Sequence, residues 1–266
     1  MIPTASRQGA LTELGRSALS GFDGWWRIIH LGVVILALAL SPSSYGRADR
    51  STVARHVYQN TAPNLLWFAV LSALLGLVLI RIVVVTALSY GLSQYALQMV
   101  VRVLVLELIP LTTALFVALR CTIPNGAEIA GMRSRGEFES KIQGADPLRR
   151  EVLPRVVAGV FAVLMLAALS SVLTLVLAYL SVYGFTRWGF DGYTHTVGQI
   201  FSPGVALIFA LKIVFLSVAV SLIPVASVLY DSAGARSRTS VELRGLVRMF
   251  LVILLIEAAS LIGNYY

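Results

Sequence analysis

Long apolar stretches dominate the sequence, and their length constrains the fold more than any other feature. Several approach or exceed the about 20 residues that a helix needs to cross a lipid bilayer. Hydrophobic residues make up 58% of the chain and charged residues only 13%, whereas a soluble domain is usually about a quarter charged. Too little polar sequence remains to cover so many apolar helices in water. The sequence therefore predicts an all-α integral membrane protein.

Five membrane-spanning helices are predicted from these stretches, at about residues 65–90, 95–119, 154–183, 203–229 and 246–264. The connections before the first span, between the second and third and between the fourth and fifth are rich in arginine, and the other two are poor in charge. Because basic connections stay on the cytoplasmic side of a membrane, the charged connections are expected to be cytoplasmic and the C-terminus to lie outside.

The N-terminal part of the chain, residues 1–44, is predicted to form an amphipathic and interfacial segment before a five-span domain, 45–266. Residues 10–22 have the pattern of a short amphipathic helix. The apolar run at 25–40 is short for a span and contains an arginine and a histidine. We favour an interfacial or re-entrant position for this run, and a sixth span is the alternative.

Charged residues inside the predicted spans are the candidates for a functional site, because such residues are costly in lipid and usually pair or line a cavity. The candidates for cavity lining or gating are Arg81, Arg102, Glu107, Lys212 and Glu257. From a rise of about 1.5 Å per residue, Lys212 and Glu257 both come to a depth of roughly 14–16 Å. An ion pair between them is therefore expected, either only to fix helix packing or to gate or line a substrate cavity.

The other three candidates lie in the first two spans. Arg81 and Arg102 are nearer the outer ends, where they either extend to the lipid headgroups or line a cavity. Glu107 is followed by Pro110, which should loosen the helix near the middle of the membrane. The third span contains "AGVFAVLMLAALSSV", whose small residues allow close helix packing within the chain or across a dimer.

No motif for nucleotide, metal or nucleic-acid binding is present. The chain has no GxxxxGK[ST] sequence for a phosphate-binding loop, and its three histidines are too scattered for a metal site. His195 is expected in a solvated outer connection. No basic patch with interleaved aromatic residues suggests nucleic acid. We therefore predict no catalytic residue, no metal site and no nucleic-acid partner.

The connection at 120–155 carries seven basic and five acidic residues, with the two signs interleaved. Cytoplasmic orientation explains the arginines, but it explains neither the acidic residues nor the length of the connection. Short helical runs such as "RGEFESKI" fit a helix that lies on the membrane surface and faces a partner. A permease that takes energy from a separate ATPase needs such a docking element.

Three stretches of the chain are informative: "LELIPLTTALFVALR" (106–120), "AEIAGMR" (127–133) and "DPLRREVLPRVVAGV" (146–160). They resemble the MlaE/YrbE family of ABC-transporter permeases, in which the corresponding text is approximately "RELGPVVTALLVAGR", "AEIGxMR" and "DPLRRxVxPRxxAGV". The similarity extends weakly from about residue 55 to the end. It includes a lysine in the fourth span and an acidic residue in the fifth, where Lys212 and Glu257 lie.

The resemblance implies an MlaE-type permease fold, with N-terminal interfacial helices followed by five transmembrane helices. It implies the permease subunit of an MCE-associated ABC transporter that moves phospholipids, or related hydrophobic molecules, between the inner membrane and the outer envelope. The chain would lie in a bacterial inner (cytoplasmic) membrane, with its N-terminus cytoplasmic and its C-terminus periplasmic.

The resemblance also implies partners. They are a cytoplasmic ABC ATPase, an MCE-domain protein on the outer face, a possible STAS-domain protein, and a second copy or a paralogue as dimer partner. ATP and Mg²⁺ would bind to the ATPase, so this chain would bind no cofactor and would not itself be an enzyme. Phospholipid would occupy a cavity between spans one, two and five. A coupling helix is expected within a cytoplasmic coupling loop at about 120–153, and the residues expected to meet the ATPase are Glu128, Arg133, Glu137, Phe138, Glu139, Lys141 and Asp146.

The chain departs from the family text at several positions. Leu106 stands where the family has arginine, and Ile109 stands where it has glycine. The family's "AGRAGSA" becomes "ALRCTIPNGA", and its "E-Q-[IL]-D-A-L" region becomes the shorter "GEFESKI". Both the coupling surface and the central cavity are therefore altered. The alternative function is a non-transporting membrane scaffold, or a heterodimer partner, that recruits the ATPase and MCE proteins.

Overall fold

The fold of this chain, in a computed structural model that describes residues 25–39, 47–92, 95–136, 148–231 and 238–265, consists of helices. These residues contain no β-strand. In chain order the helices are α1 (Trp25–Ala39), α2 (Arg47–Ser89), α3 (Ala96–Ser134), α4 (Leu148–Tyr183), α5 (Phe190–Ile200), α6 (Pro203–Asp231) and α7 (Arg238–Tyr265). Five of them, α2, α3, α4, α6 and α7, are long and apolar enough to cross a membrane. The predicted all-α, five-span architecture is therefore confirmed.

The helices extend beyond the predicted spans at four ends, because they continue beyond their apolar parts, and the other ends agree with the prediction. α2 begins at Arg47 rather than near 65, and α3 continues to Ser134 rather than stopping near 119. α4 begins at Leu148 and α7 at Arg238, each several residues before the predicted start. Hydropathy marks only the part of a helix that lies in lipid, whereas backbone hydrogen bonds and side-chain packing extend a helix into its polar turns.

The first part of the predicted coupling loop at 120–153 is the end of α3 and not a loop. Residues up to Ser134 stay helical because Ile129 and Met132 are buried in the core. α3 ends at Ser134, and two residues later Gly136 has a φ of 70°, which is readily adopted only without a β-carbon. Most of the predicted helical run "RGEFESKI" and the predicted amphipathic helix at 10–22 lie outside the described residues.

α1 is a short helix that packs against the side of the bundle. Its 15 residues measure about 22 Å, less than the about 30 Å of hydrocarbon in a bilayer. Ile28, Leu31 and Ile35 are buried, while the arginine and histidine of this helix are exposed. Gly32, on the same helix, lies close to Leu222 of α6. The length and the one-sided burial favour the interfacial position over a sixth span.

The membrane-spanning helices pack around three successive layers of buried side chains. α2 packs along α4, α4 packs on α6, and α6 packs on α7, while α3 contacts both α4 and α6. One layer surrounds Ile129 and Leu216 and includes α1. The middle layer surrounds Phe68 and Leu166, and the third surrounds Val101 and lies beside α5. We refer to the end of the bundle that contains Ser134 and Leu148 as the charged end, and to the end beside α5 as the opposite end.

The small residues predicted to allow close packing are used within the chain. A β-carbon on Gly159 of α4 would lie 2.6 Å from Ser221 Oγ on α6 and 3.0 Å from Thr122 Cγ2 on α3. These contacts are too short for any side chain. Gly159, in the "DPLRREVLPRVVAGV" stretch, therefore fixes how closely three helices approach one another.

Candidate functional site

Lys212 lies at the centre of a charged cluster that joins three helices. Its ammonium contacts Oε2 of Glu107 on α3 and donates to Oε1 of Glu257 on α7 at 2.9 Å. It also donates to the backbone carbonyl of Leu106 at 3.1 Å. Asn264 donates to the other oxygen of Glu107 at 3.4 Å. The ion pair expected between Lys212 and Glu257 is present, and Glu107 is a third member.

The backbone of α3 explains why a carbonyl is available to Lys212. Pro110 has no N–H, so it cannot make the α-helical hydrogen bond to the carbonyl four residues before it, which belongs to Leu106. The preceding residues, Val101–Leu108, form π-helical turns, which are rare and often found at functional sites. The predicted loosening near Pro110 therefore takes the form of a wider helix that continues, and Lys212 donates to the Leu106 oxygen.

An apolar cleft lies beside the cluster, between α6 and α7. Its volume is about 470 Å³, and Lys212 is the one charged residue that lines it. The other lining residues are apolar or small: Ile208, Leu211, Phe215, Leu255, Ile256, Ala259, Ser260 and Gly263. This cleft can accept a hydrocarbon chain and place a polar group near an ammonium. It lies between the fourth and fifth spans, whereas the sequence predicted a cavity between the first, second and fifth.

A second, smaller cleft of about 180 Å³ lies between α2 and α3 and does not contain the charged candidates. Phe68 and Phe116 line it, and Thr174 of α4 closes one side. Its lining is almost wholly apolar, so it resembles a lipid-facing groove more than a site for a charged group.

The two arginine candidates occupy different surroundings. Arg102 lies on the same π-helical turns as Glu107 and lines a cavity of only about 10 Å³ with Leu106 and Asn264. Its Nε atom is buried without a hydrogen-bond partner among the described residues. Arg81 is exposed on α2, in a shallow groove with apolar neighbours. The structure brings Arg102 close to the cluster and leaves Arg81 on the outside of the bundle.

The charged end contains a second ionic cluster, centred on Arg155 of α4. Arg155 is only 5% exposed. It pairs with Glu151 at 2.6 Å, donates to the carbonyl of the same residue at 2.7 Å, and pairs with Glu128 of α3 at 3.4 Å. Glu128 was predicted to contact an ATPase. Its ion pair links α3 to α4, and its side chain is 58% exposed, so it also remains accessible at the surface.

Arg133, another predicted coupling residue, binds the end of α6. It donates to the carbonyl of Val228 at 3.3 Å and to the carbonyl of Leu229. A cation at the C-terminal end of a helix satisfies carbonyls that have no helical partner and complements the helix dipole. Arg133 therefore links α3 to the end of α6. The other predicted coupling residues lie outside the described residues: Glu137, Phe138, Glu139, Lys141 and Asp146.

The segment that departs from the family text, "ALRCTIPNGA", packs α3 against α2. Arg120 donates to the side-chain oxygen of Asn64 at 3.2 Å, and the amide of Asn64 donates to the sulfur of Cys121 at 3.3 Å. No sequence pattern pointed to Asn64, since a single asparagine has many uses. The same holds for Asn264, which became part of the candidate site only through its contact with Glu107.

The connection at the opposite end contains a helix that was not predicted. His195 lies on α5 and is exposed, so it is solvent-accessible as expected but not in a loop. Tyr193 on the same helix donates to the carbonyl of Leu175 at 2.8 Å, and burial raises its pKa to about 12. Among the described residues, no group of three histidine, cysteine or acidic side chains could hold a metal ion.

The comparison with known families agrees with the motifs in the sequence. Residues 53–262 match the family described as Permease MlaE. The match covers most of the chain, including the ion-paired residues of both clusters and nearly all of the five spans and of the cleft between α6 and α7. No curated protein matches the sequence.

Proposed function

Because this chain belongs to the MlaE permease family and is therefore a multi-pass membrane permease of an ABC transporter, we propose that it moves phospholipids or related hydrophobic molecules. ATP hydrolysis by a separate cytoplasmic ATPase would drive the movement, and an MCE-domain protein on the outer face would pass the lipid on. The chain would lie in a bacterial inner membrane, with its charged end cytoplasmic and its C-terminus periplasmic.

The observation that carries this proposal is the position of Lys212 at the wall of an apolar cleft. A phospholipid has two apolar chains, which an apolar groove within the membrane can hold. The cleft between α6 and α7 is almost wholly apolar and lies between two helices long and apolar enough to cross a membrane. Lys212 also contacts α3 and α7, so movement of either helix would change the shape of the cleft.

The charged end supports a role for an ATPase. α3 extends beyond its apolar part to Ser134 and carries Glu128 at an accessible position. Arg155 and Arg133 tie this extension to α4 and to the end of α6. A push on the extension would therefore reach α6, which carries Lys212. Further contacts with the ATPase are proposed for the acidic and basic residues between 137 and 146.

The first experiment is affinity purification of the tagged chain in mild detergent, with proteomics of the partners and mass spectrometry of bound lipid. We expect an ABC ATPase, an MCE-domain protein and phospholipid. Recovery of both proteins without any lipid would favour the non-transporting scaffold. Recovery of neither protein would contradict the proposed transporter.

A second experiment tests the cleft itself. Ala259 lines the cleft, so Ala259→Trp should fill it. Val247 lies on the same helix, is 65% exposed and does not line the cleft, so Val247→Trp is the matched control. We expect Ala259→Trp to lose both bound phospholipid and lipid-stimulated ATP hydrolysis in the purified complex, and Val247→Trp to retain them. Equal lipid content in the two variants would show that the lipid lies elsewhere.

A further inference from the structure

The charged cluster contains two carboxyl groups and only one ammonium. Lys212 contacts Glu107 and Glu257 together, and both carboxyl groups are mostly buried, with side chains 13% and 15% exposed. If both were ionised, the three groups would carry a net charge of one negative unit in the membrane interior. An uncompensated charge in such surroundings is strongly disfavoured.

No other cation in the described part of the chain forms an ion pair with either carboxyl group. The charged side chains that α3, α6 and α7 bring to this point are Glu107, Lys212 and Glu257, with Arg102 about one turn away on α3. Arg102 lines the small cavity beside Asn264 and forms no ion pair with a described residue. α5 places no charged side chain in this cavity, since it contributes only Ile200.

We propose that the cluster is a proton-binding site, in which Glu107 and Glu257 share one proton at neutral pH and the cluster is electrically neutral. One proton, two carboxylates and one ammonium sum to zero charge. Two carboxyl groups held this close together cannot both ionise without a large cost, and sharing a proton removes that cost. The proposal does not depend on the transported molecule or on the partner proteins.

The hydrogen bonds indicate which carboxyl group carries the proton. Both oxygens of Glu107 accept hydrogen bonds, one from Lys212 and one from Asn264. Glu257 accepts from Lys212 through Oε1, whereas its Oε2 is buried with no hydrogen-bond donor among the described residues. A bare carboxylate oxygen in this position would be unsatisfied. A protonated Oε2 instead becomes a donor, on a carboxyl group that shares the Lys212 ammonium with Glu107.

Proton occupancy would then control the contact among three helices. Loss of the proton leaves like charges facing each other between α3 and α7, and this repulsion favours separation of the two helices. Movement of α7 away from α3 would also widen the cleft between α6 and α7, which Lys212 lines. The site would therefore couple opening of the cleft to proton release.

The test is infrared spectroscopy of the full chain in dodecyl maltoside, a detergent without ester carbonyls, because a protonated carboxylic acid has a C=O band that ionised carboxylates lack. Exposed aspartate and glutamate are ionised above about pH 6, so a band that persists at neutral pH reports a retained proton. We expect this band in the unmodified chain. We expect its loss in both Glu257→Gln and Glu107→Gln, since in each variant the remaining carboxylate and Lys212 form a neutral pair.

Two further variants make the assignment specific. Asp191→Asn removes an exposed carboxylate from α5 and should keep the band. Lys212→Met removes the cation, so both carboxyl groups should be protonated and the band should grow. The absence of the band from the unmodified chain at neutral pH would overturn the proposal. So would its persistence in both glutamine variants, which keep the size and shape of the original side chains and should therefore fold.

Discussion

Lys212 donates a hydrogen bond to the backbone carbonyl of Leu106, over 3.1 Å and between different membrane-spanning helices. Pro110 leaves that oxygen without its α-helical donor, and Lys212 supplies one. The same ammonium contacts two carboxyl groups, so its three N–H donors match three acceptors. The lysine is satisfied in a part of the chain where water is scarce, which explains how it can be buried to 2% exposure.

Replacing Lys212 alone should be strongly destabilising. Lys212→Met leaves two carboxyl groups and a carbonyl without their common donor, and removing one partner from a buried ionic group costs on the order of 3–5 kcal/mol. The triple variant Lys212→Met, Glu107→Gln, Glu257→Gln removes every charge and should recover much of the loss. Thermal unfolding in detergent, followed by circular dichroism, measures both. A triple variant as unstable as the single one would show that the cost is lost packing.

Gly159 should not tolerate a side chain. Gly159→Ala would place a methyl group 2.6 Å from Ser221 Oγ, and overpacking of this kind costs roughly 1–3 kcal/mol. Ser221→Gly removes the opposing atoms, so the double variant should be more stable than Gly159→Ala alone. Gly198 lies in open space on α5, so Gly198→Ala is the control and should change the melting temperature little. An unchanged melting temperature in Gly159→Ala would contradict the close packing of α4 and α6.

The two acidic partners of Arg155 should contribute unequally to the free energy of unfolding. Arg155→Met removes both ion pairs and a hydrogen bond to the Glu151 carbonyl, and we expect a loss of about 1.5–3 kcal/mol, as for hydrogen bonds to charged groups. Glu128→Gln should cost less than about 1 kcal/mol, because the Glu128 side chain is 58% exposed and exposed pairs are screened by water. Chemical unfolding of Arg155→Met, Glu128→Gln and the double variant would give the coupling free energy between Arg155 and Glu128.

Glu128→Gln also tests whether Glu128 binds an ATPase or only stabilises the fold. If Glu128 contacts an ATPase, this variant should lower ATPase recovery in a pull-down while the melting temperature changes little. Glu151→Gln, which removes the closer partner of Arg155, is the matched comparison and should lower the melting temperature more. Normal ATPase recovery with Glu128→Gln would assign Glu128 to helix packing alone.

The packing of α5 should be sensitive to high pH through Tyr193. Burial raises the pKa of Tyr193 to about 12, above the value of about 10 for an unperturbed tyrosine. The hydroxyl form is favoured in the folded state, so its contribution to stability is complete below about pH 10 and is lost as the pH rises toward 12. Tyr193→Phe loses the hydrogen bond to Leu175, at about 1 kcal/mol, and should reduce this pH dependence. Thermal unfolding between neutral and alkaline pH measures it, and identical pH profiles for the two proteins would contradict the assignment.

The sequence by itself determined the architecture, because the physics of a membrane helix is local. About twenty apolar residues in a row can satisfy their backbone groups in lipid only as a helix, so the five spans were predictable. Lys212 and Glu257 were also predictable as an ion pair, since helix rise alone placed them at the same depth. The family was recognisable from three short motifs, one within the second span and two in or next to the charged connection that follows it.

The ends of the helices required the tertiary structure. Polar turns such as those before Ser134 stay helical because residues like Ile129 are buried against other helices, and hydropathy does not record this. Arg133 also required the tertiary structure. Its charge suggested contact with a partner, and its position in the fold lets it donate to a carbonyl at the end of α6.

Only the tertiary structure decided which charges meet. Glu107 lies 105 residues before Lys212 in the chain, and depth along a helix does not fix the direction in which a side chain points. The π-helical turns before Pro110 rotate that part of α3, so no regular helical period predicts the face on which Glu107 lies. Side-chain direction and helix packing together produced a cluster with two carboxyl groups and one ammonium beside an apolar cleft, and this arrangement supports both the proposed transport and the proposed proton site.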